Sequence, residues 1–179
     1  MYSTKCFLRW HSILYYQILH QSFRRDRTQL WTMAHLKTYA YEGRGETSRV
    51  QYWYSQAVRV GDRIEIAGQG GWDPESGVFH ADRDDQIDQA FANVELALKT
   101  AGGKGWSQVF RVNSYHVPMS DDTLEAMVRN FKKYMPNHQP IWTCIGVPKL
   151  ADPDMKVEIE VVAHDEEGAK AAKAGTYME

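Results

Sequence analysis

The chain has 179 residues, 43% of them hydrophobic and 25% charged, with a formal net charge of -2. That length allows one domain, or one domain with an appendage, and the balance is that of an ordinary globular protein. Its two cysteines, Cys6 and Cys144, lie far apart, which excludes a disulfide framework and a zinc spacing, and the small negative charge gives no general attraction to nucleic acid.

Charge is unevenly spread. Residues 1–32 hold Lys5, Arg9, Arg24, Arg25 and Arg27 against Asp26 alone, a net of +4, whereas the remainder is net -6. The longest stretch of this extension without a charged residue, Trp10 to Phe23, is too short and too polar to span a membrane. No small-residue cleavage site follows an apolar core, so a secretory signal is not expected. Three readings stay open: a mitochondrial presequence, a disordered tail, and a gene-model artefact with Met33 as the start. On each of them, the extension is expected to be dispensable for folding. The location is expected to be cytoplasmic, or mitochondrial if the presequence is real.

Residues 33–51 read as a lead-in, and regular periodicity runs over 52–165. Tyr54–Val60 and Arg63–Gln69 are short β-favouring runs around Gly61-Asp62, which predicts a hairpin. Gly68 to Gly77 is a glycine-rich loop without the spacing of a dinucleotide site. Asp84–Thr100 is a helix with Ile87, Phe91, Val94 and Leu98 on one stripe, aspartates in its first turn and Gly102-Gly103 as its stop. Gln108–Val117 is the third strand, with Phe110 and Val112 on one face and Val109, Tyr115 and Val117 on the other. A second helix, Asp121–Met135, is capped by Ser120 or Asp121, buries Leu124, Met127, Val128, Phe131 and Tyr134, and stops at Pro136. Pro140–Val147 and Met155–His164 are the fourth and fifth strands, and the Ala/Lys/Glu-rich tail, 166–179, is expected to fray.

The result is an α+β domain of order ββαβαββ, a mixed sheet with two helices on one face. The third strand carries large apolar residues on both faces. The uncovered face therefore needs a partner, most simply another copy of the chain.

The runs YSQAV (Tyr54–Val58), IAGQGGWDPESG (Ile66–Gly77), the helix around Asn93-Val94 and the closing KVEIEVVA (Lys156–Ala163) together resemble the Rid family of reactive intermediate deaminases, also called YjgF or L-PSP. The resemblance covers about Tyr52 to Asp165. It implies a chorismate-mutase-like fold and a homotrimer whose sheets form a central barrel, with small-molecule clefts between subunits. It also implies hydrolysis of enamines and imines to 2-keto acids and ammonia without a cofactor.

By the same resemblance, Tyr54 is the cleft tyrosine, and Ala67-Gly68-Gln69 matches a Ser-Gly-Gln segment in which Gly68 offers backbone contacts. Glu158 and Glu160 are the closing Glu-x-Glu pair, and Glu158 positions the attacking water. Cys144 matches the family's cysteine, but Trp142 stands where its carboxylate-binding arginine belongs. A guanidinium holds a carboxylate by two charge-assisted hydrogen bonds, each worth roughly 1.5–3 kcal/mol, and indole has no equivalent. Arg111 is the cation that could approach from a neighbouring chain. Trp142 offers a flat apolar surface instead, suited to an aromatic, a cation or a larger neutral ligand.

Plainer readings accompany these. Alternation makes Glu158 and Glu160 a solvated strand face, Tyr54 a packed aromatic, Cys144 a buried thiol and Trp142 a space filler. His116 and His164 read as rim or interface residues, and no histidine pair has metal-ligand spacing. Three functions follow: an imine or enamine hydrolase of altered specificity, a non-catalytic small-molecule-binding trimer, and, least supported, a ribonuclease. The folded part has no basic stripe with interleaved aromatics, so no nucleic-acid partner is expected.

Overall fold

The computed structural model describes residues 35–176. Strands β1 (Lys37–Tyr39), β2 (Ala57–Val60), β3 (Arg63–Gly70), β4 (Val109–His116), β5 (Ile141–Gly146) and β6 (Val157–His164) form one sheet in the order β1-β2-β3-β6-β4-β5. All pairings are antiparallel except β4 with β5. The helices are α1 (Arg44–Tyr52), α2 (Arg83–Thr100), α3 (Asp121–Tyr134) and α4 (Glu166–Thr176). The expected ββαβαββ order stands, with β1 and α1 ahead of it and α4 behind.

The expected hairpin joins β2 to β3, with Gly61 at φ 62°, a left-handed backbone that glycine adopts without a Cβ penalty. In α2 the Asp82 carboxylate caps the first turn, accepting from the N–H groups of Asp84 and Asp85. Its stripe of Ile87, Phe91, Val94 and Leu98 is fully buried against Ile64, Ile66, Ile159 and Val161 of the sheet. Phe91 stacks on Trp106 at 4.5 Å, and the Trp106 indole N–H donates to the Phe91 carbonyl at 2.9 Å. The largest core side chain thus brings its polar atom in satisfied.

The lead-in is not irregular. β1 pairs with β2, and Tyr41 behind it is buried. Residues 166–176 form α4, because Ala, Lys and Glu favour helix and Asp165 receives the Gly168 N–H at 3.2 Å. Tyr54 precedes its strand rather than opening it.

Strict alternation also fails in β4. Val109 pairs with Ala163 and Arg111 with Val162, so Phe110 is an extra, bulged residue. The bulge returns Val109 to the core beside Val112. The far face of β4 therefore carries Arg111, Asn113 and Tyr115 rather than apolar bulk. His116 is not a rim residue but fully buried, whereas His164 lies exposed against Asp62 at 3.2 Å. In α3 Met127 is core, but Leu124 and Val128 are exposed, since Thr123, Ala126 and Asn130 face inward in their place.

These changes move the exposed apolar surface. Within the sheet it includes the edge strand β5, where Ile141 and Ile145 are exposed on the face away from the helices. No described helix is long and apolar enough to cross a membrane.

Candidate active site

A second bulge builds the site. Between Ile66, opposite Val161, and Gln69, opposite Ile159, two residues of β3 face one of β6: Ala67 and Gly68 stand against Glu160. The Glu158 side chain lies directly over Gly68. A Cβ on Gly68 would come within 1.8 Å of its carboxylate oxygen, so only glycine leaves room for the glutamate there. Burial pushes the Glu158 carboxyl above its ordinary range, and the neighbouring Glu160 pushes it further.

Glu160 is held from the next strand. The Asn113 amide donates to it at 2.7 Å and the Tyr115 hydroxyl at 3.1 Å. Burial, and then this hydrogen bond, raise the Tyr115 hydroxyl, which keeps it a donor. Cross-strand register explains the pairing: Asn113 faces Glu160 and Tyr115 faces Glu158. The Glu160 side chain is thereby held in place, while Glu158 has no such donor among the described residues and stays available.

Tyr54 lies just ahead of β2. It is 37% exposed, and its hydroxyl receives the Gln56 amide at 3.3 Å. Gln69 is turned away from the surface. It is fully buried and donates to Gln56 at 2.7 Å and to the carbonyls of Ala67 and Gly68 at 3.0 and 3.3 Å. Its place is beneath the bulge, bracing it.

Trp142 and Cys144 face the opposite way. Trp142 meets Phe131 of α3 edge to face at 4.9 Å, and its indole N–H donates to the Ser114 hydroxyl at 2.9 Å. Cys144 lies near Met119, sulfur to sulfur at 3.8 Å, and burial raises its thiol against a smaller opposing effect of Ser114. A raised thiol is a weak nucleophile. Trp142 also lines a cavity of about 450 Å³ with Phe131, Met135, Pro136 and Pro140. On the open face, Arg111 lines a cavity of about 190 Å³ with Asn113, Glu160 and Glu65. One chain therefore brings together Glu158, Glu160 and Gly68, with Tyr54 linked to the bulge through Gln56 and Gln69. It sets Trp142 and Cys144 behind the sheet. No cluster of metal-ligand type occurs among the described residues.

Ser114 also meets His116 Nε2 at 2.9 Å, while His116 Nδ1 is buried without a partner. Burial lowers the His116 pKa from 6.5 to about 4, with Arg83 adding to the shift. The folded state thus holds the ring neutral where the unfolded chain would protonate it. Stability is complete above pH 6.5 and is expected to fall by on the order of 3 kcal/mol as pH drops to about 4. Urea midpoints across that range check this, and His116→Gln should flatten the slope.

Asn113 and Tyr115, which hold Glu160, and Gln56, which donates to Tyr54, belong to the site although the sequence does not single them out for it. Only their polarity within β-favouring runs marked them.

Residues 47–165 match the family model described as Endoribonuclease L-PSP. A RutC family protein of Pyrococcus horikoshii is 32% identical over 114 residues, covering 63% of this chain and 87% of its own length. A 2-iminobutanoate/2-iminopropanoate deaminase of Dermatophagoides farinae is 29% identical over 110 residues, 61% of this chain and 83% of its own. The solved structure of protein YjgH superposes with a TM-score of 0.63 at 27% identity, over 73% of this chain and 97% of that one.

Proposed function

On the premise that the chain belongs to the Endoribonuclease L-PSP family, the Rid family of the sequence resemblance, we propose that it hydrolyses reactive imines or enamines without a cofactor, with a specificity moved away from small 2-imino acids. The observation that carries the reading is the Glu158 carboxylate, raised by burial and by Glu160, lying over Gly68 at the bulge. Raised basicity suits a general base near neutral pH. Glu158 orients a water and takes its proton as the oxygen adds to the imine carbon. Glu158 returns that proton to the nitrogen to give the carbinolamine; the carbinolamine hydroxyl proton then passes to the amine as the C–N bond breaks, which releases ammonia and leaves the carbonyl, and an enamine enters as its imine tautomer. Relatives named as reactive intermediate deaminases support the reaction class.

The substrate site is proposed between copies of the chain. Glu158 and Trp142 lie on opposite faces of one sheet, so a cleft containing both draws them from two subunits. The exposed Ile141 and Ile145 on the β5 edge favour such an assembly. A homotrimer is proposed, and sedimentation equilibrium should return three times the chain mass. A stable monomer at micromolar concentration would remove the cleft.

The test is ammonia release from a panel of enzymatically generated imines. Weak or no acceleration is expected with 2-iminopropanoate and 2-iminobutanoate, because the Trp142 indole N–H is committed to Ser114 and no guanidinium stands there. Trp142→Arg should raise their hydrolysis, on the order of a hundredfold if both carboxylate hydrogen bonds form. Full activity in the parent protein would defeat the altered specificity. No gain in an intact Trp142→Arg trimer favours the second reading, a non-catalytic trimer that binds an aromatic or larger neutral ligand at Trp142.

A further inference from the structure

Five side chains form a buried hydrogen-bond relay whose direction is determined at both ends. Trp72 Nε1 donates to the Tyr41 hydroxyl at 3.0 Å, and Tyr41 donates to Gln69 Oε1 at 3.0 Å. Gln69 Nε2 donates to Gln56 Oε1 at 2.7 Å, and Gln56 Nε2 donates to the Tyr54 hydroxyl at 3.3 Å. Indole N–H can only donate, and the Ala67 and Gly68 carbonyls that also receive Gln69 Nε2 can only accept. The Gln69 amide therefore has one orientation, and so does every group after it. Tyr41, Gln56, Gln69 and Trp72 are all buried, and burial pushes the Tyr41 phenol up to about 12 despite the lowering effect of the Trp72 hydrogen bond. Tyr41 thus keeps its proton throughout the working range.

The end of the relay is the consequence. Tyr54 accepts from Gln56, so its own O–H proton is left for an acceptor outside the relay, on a side chain that is 37% exposed. We propose that the relay fixes Tyr54 as a hydrogen-bond donor to the ligand, so that an acceptor (an imine nitrogen or a carbonyl oxygen) binds at its hydroxyl, and that Tyr41 is a positioning residue for it. This rests on the imine-hydrolase reading only for the identity of the ligand. Tyr41 precedes the stretch that matches the family model, which begins at residue 47. The relay therefore makes the lead-in part of the site.

Tyr41→Phe in the full chain tests this, with two readouts. The first needs no ligand: the side-chain amide resonances of Gln56, whose relay hydrogen bonds run to Gln69 and Tyr54, should shift together with those of Gln69. Unmoved Gln56 amides would overturn the relay. The second is imine hydrolysis. Tyr41→Phe should lower kcat about tenfold, the effect of one lost hydrogen bond, with KM nearly unchanged, and should also lower the thermal midpoint, because the Trp72 indole and Gln69 Oε1 lose a buried partner. Tyr54→Phe should lower kcat likewise, and the double variant should be no slower than Tyr54→Phe alone. Independent, multiplying losses would sink the link between Tyr41 and Tyr54. If the parent protein hydrolyses no imine, the functional reading fails by itself, and the Gln56 resonances still decide the relay.

Discussion

Glu158→Gln is expected to lower imine hydrolysis about a hundredfold or more, within the range that a positioned general base contributes. The substitution keeps the side chain's size over Gly68 and removes only the capacity to take a proton from water. Folding should be little affected, because no hydrogen bond within the described residues depends on this carboxylate as those of Asn113 and Tyr115 depend on Glu160. The pH profile is a second check. Burial and Glu160 hold the Glu158 carboxyl above its ordinary range, so activity should rise with pH through a midpoint higher than that of a free glutamate. Gly68→Ala approaches the same atom from the other side. Its Cβ would occupy the position of the carboxylate, which must swing away, so activity should fall while the sheet stays intact. Parent-like rates in Glu158→Gln would transfer the base to another group.

Asp165→Ala is expected to cost about 3–5 kcal/mol of stability, the range for breaking a buried ion pair from one side. Asp165 is only 2% exposed and meets Arg59 at 2.7 Å, itself 9% exposed. The same carboxylate receives the Gln108 amide at 2.8 Å and the Gly168 N–H at 3.2 Å, so it also anchors α4. Removing it leaves the Arg59 guanidinium buried with the Ala101 carbonyl, at 3.1 Å, as its remaining acceptor. Burial alone would raise the Asp165 carboxyl, but Arg59, Gln108 and the Gly168 N–H outweigh it and hold it below the usual range. A depressed carboxyl stabilises the fold above its unfolded pKa, and that stability is lost as pH falls through the folded value. Urea unfolding near pH 7 should therefore separate Asp165→Ala from the parent, and the gap should narrow in acid. Asp165→Asn, which can still accept from Gln108 and Gly168, should lose less. Equal stabilities at neutral pH would mean that Arg59 finds water or another acceptor.

What the sequence showed and what it hid follow from the range of the interactions. Helix α2 was legible because its signals are local: capping aspartates, an apolar stripe and a glycine stop all fall within about five turns. Helix α1 has none of these. It begins after Gly43 with no side-chain cap, and the Val50 and Tyr52 side chains are exposed. β1 is three residues long, below what alternation can mark. In the site, the alternation of Glu158 and Glu160 with Val157, Ile159 and Val161 placed both carboxylates on the open face. Their different roles come from register across β4 and β6, some 45 residues apart in the chain. The two bulges break the period on which such reading relies, which is why Val109 was assigned to the wrong face.

The sheet order carries a consequence for synthesis. β6 is the last strand made, yet it lies between β3 and β4. Without residues 157–164 the sheet could form only as two separate parts, each with an open edge that pairs with β6 in the finished fold. One is the β1-β2-β3 meander, and the other is the β4-β5 pair. Exposed strand edges recruit whatever extended segment is near. A chain stopped before Val157 would lack both the strand that seals those edges and the carboxylates it carries. Closure of the sheet and acquisition of its acidic pair are thus one late event in the life of the molecule.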